Sequence, residues 1–188
     1  MGLSALQHTE LDLPLRIVQT LVLYALGEHQ LGHARRIVVN CSGTEFSVSD
    51  DGRGHSVSRT VEGAPYLDFI YGHLAFPFGR ADSPPVQLQG LGISLLNQLC
   101  ESLDVTVRKS TQTLRLRFGR GTLLAHQLVD EQNLETGNCL AGEVLAGLAA
   151  QAMDVAALVK WLSAVQEVNP GLELVLNGKP LRAEADGA

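Results

Sequence analysis

Two glycine-punctuated stretches hold the residues best suited to chemistry. The first is Val48-Ser49-Asp50-Asp51-Gly52-Arg53-Gly54-His55, and the second is Leu88-Gln89-Gly90-Leu91-Gly92. Asp50 ends a β-like run, where a carboxylate can accept a hydrogen bond from the amino group of adenine; guanine offers no donor at that edge. Gly52 and Gly54 are expected at φ > 0, bringing backbone close to a purine. Gly90 and Gly92 stand just before an amphipathic helix, whose free N–H groups and positive dipole end favour phosphates. Asp-Asp-Gly alone is an ordinary turn sequence. The two stretches in this order are the stronger signal.

These residues need elements to hold them. Leu13–Leu31 reads as a long helix, with Ile17, Val18, Leu21, Val22, Ala25 and Leu26 on one face, Asp12 as N-cap and Gly32 as the stop. Thr20, Tyr24 and Glu28 share one stripe of it. Runs 36–40 and 45–49 read as strands around a Ser42-Gly43 turn. A second helix is predicted over 64–75, then a long loop over 76–89, the length of a lid or binding loop. A helix is predicted over 90–103, strands over 104–109, 113–118, 122–129 and 137–144, a helix over 155–168 and a strand over 172–176, closed by Asn177-Gly178. Such blocks predict an α+β fold, one mixed sheet with helices on one face.

The 188 residues suit one domain. Hydrophobic residues at 45% and charged residues at 18% exclude a disordered chain. No apolar run reaches bilayer-spanning length, and Met1–Glu10 lacks the features of a signal peptide. The net charge of −6 gives no overall attraction to DNA, so direct DNA binding is not expected. Cys41, Cys100 and Cys139 are too few and too far apart for a disulfide frame, which suggests free thiols and a cytoplasmic setting.

Several segments together resemble the gyrase B, Hsp90, histidine kinase and MutL (GHKL) ATPase superfamily, and gyrase B within it. They are ALGEHQLGHARRIVV at Ala25–Val39, SVSDDGRG, QGLGISLLNQLCESLDVTVRK at Gln89–Lys109, ETGN at Glu135–Asn138, and AALVKWLSAVQEVNPGLELVLNGKPL. The resemblance implies a Bergerat-type two-layer α/β sandwich over residues 13–181, with flexible termini at 1–12 and 182–188. It assigns nucleotide binding to Asp50, Gly52, Gly54, Gly90, Gly92 and Asn138, the last standing where the family has threonine. His55 and Ser56 stand where the family has Ile-Pro.

The departures fall on the phosphate side. The family's water-activating glutamate and magnesium-binding asparagine correspond to Thr20 and Tyr24. Threonine is no base near neutral pH, and a tyrosine ring is a poor magnesium ligand. The lid hinge reads Phe76-Pro77-Phe78, the first phosphate-loop glycines read Val86-Gln87, and Lys109 replaces an arginine. By the resemblance, no counterpart is expected in these 188 residues for the family's N-terminal arm or for its second domain, which supplies a lysine to the terminal phosphate. The resemblance therefore implies a pseudo-ATPase that binds ATP or ADP weakly or not at all, without Mg²⁺, and acts through a protein partner. Alternatives are an ATPase subunit or fragment of a type IIA topoisomerase completed by another chain, or an interaction module whose pocket is filled by Tyr24 and Phe76–Phe78. Glu28 is a conceivable replacement base. His29 and His33 are read as helix-end dipole partners and not as metal ligands.

Overall fold

The computed structural model describes residues 12–61, 63–72, 92–149 and 152–181. Eight strands form one sheet in the order β10-β9-β1-β2-β8-β5-β6-β7. These are β1 (Arg36–Ser42), β2 (Glu45–Asp50), β5 (Cys100–Arg108), β6 (Gln112–Gly119), β7 (Thr122–Asp130), β8 (Gly137–Val144), β9 (Glu173–Leu176) and β10 (Lys179–Pro180). Short β3 (Thr60–Val61) and β4 (Ala64–Pro65) pair separately. In the large sheet β1 runs parallel to β9, and every other pairing is antiparallel. The helices are α1 (Leu13–Gln30), α2 (Tyr66–Gly72), α3 (Ile93–Gln98) and α4 (Val155–Glu167). The expected mixed sheet is present.

Period-two alternation decides which sheet face is covered. Ile37, Val39 and Cys41 of β1, Phe46 and Val48 of β2, and Leu103, Val105 and Val107 of β5 are buried. They form one core with Ile17, Val18, Leu21 and Val22 of α1 and with Leu158 and Leu162 of α4. Each such side chain contributes about 1.5–3 kcal/mol relative to exposure. Asp12 caps α1, its Oδ1 accepting from the Leu15 N–H at 2.9 Å, and Asp154 caps α4 through the Ala157 N–H at 2.9 Å. The Asp12 Oδ2 also accepts from the Asp154 N–H at 2.9 Å, joining the starts of the two helices. Asp12 is therefore a fixed cap within the segment 1–12 expected to be flexible; residues 1–11 and 182–188 lie outside the described residues.

Several boundaries differ from expectation. The predicted helix over 64–75 begins as strand β4 at Ala64–Pro65, and α2 covers Tyr66–Gly72. The predicted helix over 90–103 shrinks to α3 at Ile93–Gln98, because Cys100, Leu103, Val105 and Val107 are needed on the inner face of β5. Their mixed spacing satisfies a helix as far as Leu99 and a strand after it. On α4 only Leu158 and Leu162 are buried, while Val155 and Val159 are exposed. The first hairpin turns at Gly43, with φ of 61°, one residue later than expected.

Candidate functional site

The alternation of β2 that buries Phe46 and Val48 carries Asp50 to the same covered face. On β8, Asn138 and Leu140 are buried and face that side too. The ladder pairs Val48 with Leu140 and Ser49 with Cys139, so Asp50 and Asn138 meet at its end. Asn138 Nδ2 donates to Asp50 Oδ2 at 3.1 Å, and the Asn138 N–H donates to Oδ1 at 3.4 Å. The Gly52 N–H donates to the same Oδ1 at 2.9 Å. A carboxylate offers about four acceptor sites, and these three donors occupy three of them. Burial raises the Asp50 pKa above the usual carboxylate value, and the donors from Gly52 and Asn138 only partly offset this.

The neighbouring Asp51 does different work. Its Oδ1 accepts from the Arg35 and Arg36 N–H groups at 2.8 and 2.9 Å, pinning the start of β1. The loop between is fastened at several points. The His55 N–H donates to Asn138 Oδ1 at 2.9 Å, Thr136 Oγ1 donates to Gly52 O at 2.6 Å, and Lys109 Nζ donates to the carbonyls of Arg53 and Gly54 at 2.8 and 3.0 Å. Burial holds the His55 imidazole below its ordinary pKa, favouring the neutral ring.

The glycines act for different reasons. Gly54 has φ of 69°, and a Cβ there would lie 2.8 Å from the Arg108 carbonyl. Gly52, expected at positive φ, does not have it; a Cβ would instead stand 2.8 Å from Asp50 Oδ1. Gly137 has φ of 137°, and a Cβ there would run into the Asp50 carbonyl. Gly92 is the N-cap of α3 at an ordinary φ of −59°, with no side-chain cap bond. Gly90, Phe76, Phe78 and the lid segment lie outside the described residues.

On α1, Thr20 and Glu28 of the expected stripe are each hydrogen-bonded within the chain. Thr20 is buried, and its hydroxyl donates to the Arg16 carbonyl at 2.8 Å. Glu28 accepts from the Arg53 guanidinium at 2.9 and 3.1 Å and from the Arg53 N–H at 3.2 Å. The Arg53 hydrogen bond holds Glu28 below the usual glutamate value. Burial pushes Tyr24 up to about 12, with the Ile93 N–H acting in the opposite direction and Tyr66 adding to the rise. Tyr71 of α2 is fully buried, its ring 5.9 Å from that of Phe118, and burial drives its pKa up strongly as well. Sequence reasoning missed the Lys109 clamp and the Thr136 contact, because each joins residues far apart in the chain. His29 Nδ1 lies 2.8 Å from the Ala34 carbonyl, a helix-end contact.

Comparison with known proteins places this geometry. No family model matches the chain. The B subunit of DNA topoisomerase 4 from Salmonella typhimurium is 31% identical over 120 residues, covering 61% of this chain and 19% of that protein. The B subunit of DNA gyrase from Caulobacter vibrioides is 28% identical over 139 residues, covering 70% of this chain and 17% of that protein. The chain therefore spans less than a fifth of these relatives' length. The crystal structure of the 43K ATPase domain of Thermus thermophilus gyrase B in complex with an aminocoumarin superposes with a TM-score of 0.72 at 25% identity, covering 85% of this chain and 42% of that one. By fold and by sequence, this chain is related to the B subunits of DNA gyrase and topoisomerase 4, within the GHKL superfamily of their ATPase domain.

Proposed function

We propose that this chain is a pseudo-ATPase: a gyrase B-like domain that keeps an aminopurine-reading edge, has lost phosphate chemistry, and acts through a protein partner. One observation carries the reading. Asp50 is oriented by Asn138 at one end, while at the other Tyr24, a phenol whose pKa burial raises to about 12, stands where the resemblance expects the magnesium-binding asparagine. A protonated phenol brings bulk and no negative charge, so it suits neither a metal nor an incoming phosphate.

The residues present fit adenine and do not fit a magnesium–triphosphate group. Adenine would donate its amino hydrogen to Asp50, with Gly52, Gly54 and Asn138 shaping the edge. Gly92, the N-cap of α3, stays in the proposed site, and Gly90 is kept with it on the resemblance alone. On α1, Thr20 is bonded to its own helix and Glu28 to Arg53, so nothing there is placed to deprotonate water. Among the described residues no group of three His, Cys, Asp or Glu side chains could hold a metal ion. No direct DNA contact is proposed: the chain carries −6 overall, and Arg36, Arg115, Arg117 and Arg120 each face an acid.

Calorimetric titration with adenosine, ADP and ATP, with and without Mg²⁺, tests the reading. Adenosine is expected to bind at least as well as ATP, with no effect of Mg²⁺ and no phosphate release. Magnesium-dependent hydrolysis by the purified chain, abolished by Asp50→Ala, contradicts it. The relatives' names favour a second reading, an ATPase portion of a type IIA topoisomerase completed by another chain. Restored supercoiling or decatenation on adding a topoisomerase partner would select that reading. Tyr24 weighs against it, because it belongs to this chain's own α1 and no partner supplies its removal.

A further inference from the structure

Among the described residues the helices pack on one face of the large sheet. On the other face a hollow of about 470 Å³ runs across β1, β2, β8 and β5. Strand register sets its rows. Glu45, Glu143 and Ser102 lie side by side in one row, and Ser47, Ala141 and Asp104 in the next. Ala141 carries only a methyl group, which leaves the space above it open. Each of these residues alternates with a neighbour that packs into the core on the covered face, such as Phe46, Leu103 or Leu140.

The hollow carries an unbalanced charge. Glu45 and Glu143 stand directly opposite each other in the β2–β8 ladder, an arrangement in which like charges destabilise the pair. Among the described residues neither acid meets a cation; Glu143 Oε1 accepts a long bond from the Thr44 hydroxyl at 3.4 Å. Elsewhere on this face the charges are matched. Arg117 meets Asp104 at 2.8 Å, Arg115 meets Glu131 at 3.0 Å and Arg36 meets Glu173 at 3.6 Å. Among the described residues no Lys, Arg or His lines the hollow. A cation entering from outside would therefore relieve a repulsion that the chain itself leaves uncompensated.

We propose that this hollow is a docking site for an arginine side chain of a protein partner, its guanidinium set between Glu45 and Glu143. Facing residues of an antiparallel pair hold their Cβ atoms about 4.5–5.5 Å apart, so one planar fork of N–H donors can reach both carboxylates. A lysine ammonium offers a point charge without that fork. The hydroxyls of Ser47 and Ser102 provide further acceptors beside the acids. A metal ion is poorly served, because among the described residues no group of three His, Cys, Asp or Glu side chains could hold one. Phosphates of nucleic acid or of a lipid surface would be repelled. Half-exposed ion pairs are individually weak, so the arginine anchors a larger contact more than it binds alone. Asp50 belongs to the covered face, so this docking does not depend on the cleft taking a purine.

Nitrogen-15 NMR of the full chain, titrated with the blocked peptide acetyl-Gly-Arg-Gly-amide, tests this. Saturable shifts are expected at Glu45, Ser102 and Glu143, with a dissociation constant of the order of millimolar that weakens in high salt. The blocked Gly-Lys-Gly peptide should bind several-fold more weakly, and the blocked Gly-Glu-Gly peptide should give no saturable shift. In Glu45→Gln/Glu143→Gln, with an unchanged circular dichroism spectrum, affinity for the arginine peptide should fall by about 5-fold or more. The same variant should unfold at a higher urea concentration than the native chain, because the opposed charges are gone. No saturable shift at these residues, an undiminished response in the double variant, a lysine or glutamate peptide that binds as tightly, or a double variant less stable than the native chain overturns the proposal.

Discussion

Replacing Asn138 with alanine tests the best-defined part of the site. Asn138 is 5% exposed and holds two groups at once: Asp50 Oδ2, which accepts from its amide, and the His55 N–H, which donates to its carbonyl. Truncation leaves a part-buried carboxylate without its charge-assisted donor, at about 1.5–3 kcal/mol, and strands a backbone N–H, at about 1–3 kcal/mol. Water entering the space left behind recovers part of this, so the net loss should be about 3 kcal/mol. For a chain of this size that corresponds to a fall in Tm of roughly 6–12 °C. Asn138 also acts to lower the Asp50 pKa, so its removal should raise that pKa further. Urea unfolding measures the first effect, and carboxyl-carbon NMR of Asp50 against pH measures the second. A loss below about 1 kcal/mol together with an unmoved Asp50 titration would refute the network, because orphaned buried groups cannot cost so little.

Other predictions address the rest of the cleft. Tyr24→Asn should open the α3 end and shift the ATP-to-adenosine affinity ratio toward ATP by about 10-fold, or ~1.4 kcal/mol, by calorimetry. Gly137→Ala should cost more than about 3 kcal/mol or prevent folding, since its Cβ would meet the Asp50 carbonyl at a positive φ; urea unfolding would show this. Aminopurine affinity should fall as pH drops through the raised Asp50 pKa, because the protonated acid loses the acceptor; a pH series of titrations reads it. Glu28 has the opposite sign: with its folded pKa lowered, its contribution to stability is present above the ordinary glutamate value and lost as pH falls through the folded one. Glu28→Gln should therefore flatten the acid limb of the stability curve measured by urea unfolding.

Much of this site is legible in the sequence because local rules govern it. Alternation from Phe46 through Val48 to Asp50 shows which of two adjacent acids faces inward, and Asn177-Gly178 marks a hairpin whose residues take φ of 48° and 76°. The helix expected over 90–103 fails because its apolar residues satisfy two periods, and burial against β6 and β8 decides between them. Positive φ is expected at Gly52, whereas crowding by Asp50 and Glu28 is what requires glycine there. The Glu28–Arg53 pair joins residues far apart in sequence, so helical spacing alone leaves Glu28 looking available. The burial of Tyr71 depends on α2 packing against the rest of the core, a tertiary contact with no sequence signature.

The central claim is that the purine edge survives while the phosphate end is closed to chemistry. It is tested most directly by titrating the wild-type chain in parallel with adenosine and with ATP plus Mg²⁺ while following phosphate release. The expected result is adenosine binding that is lost in Asp50→Ala, no gain in affinity from the triphosphate, and no phosphate released. Tighter binding of Mg²⁺–ATP than of adenosine, accompanied by Asp50-dependent phosphate release, would contradict it.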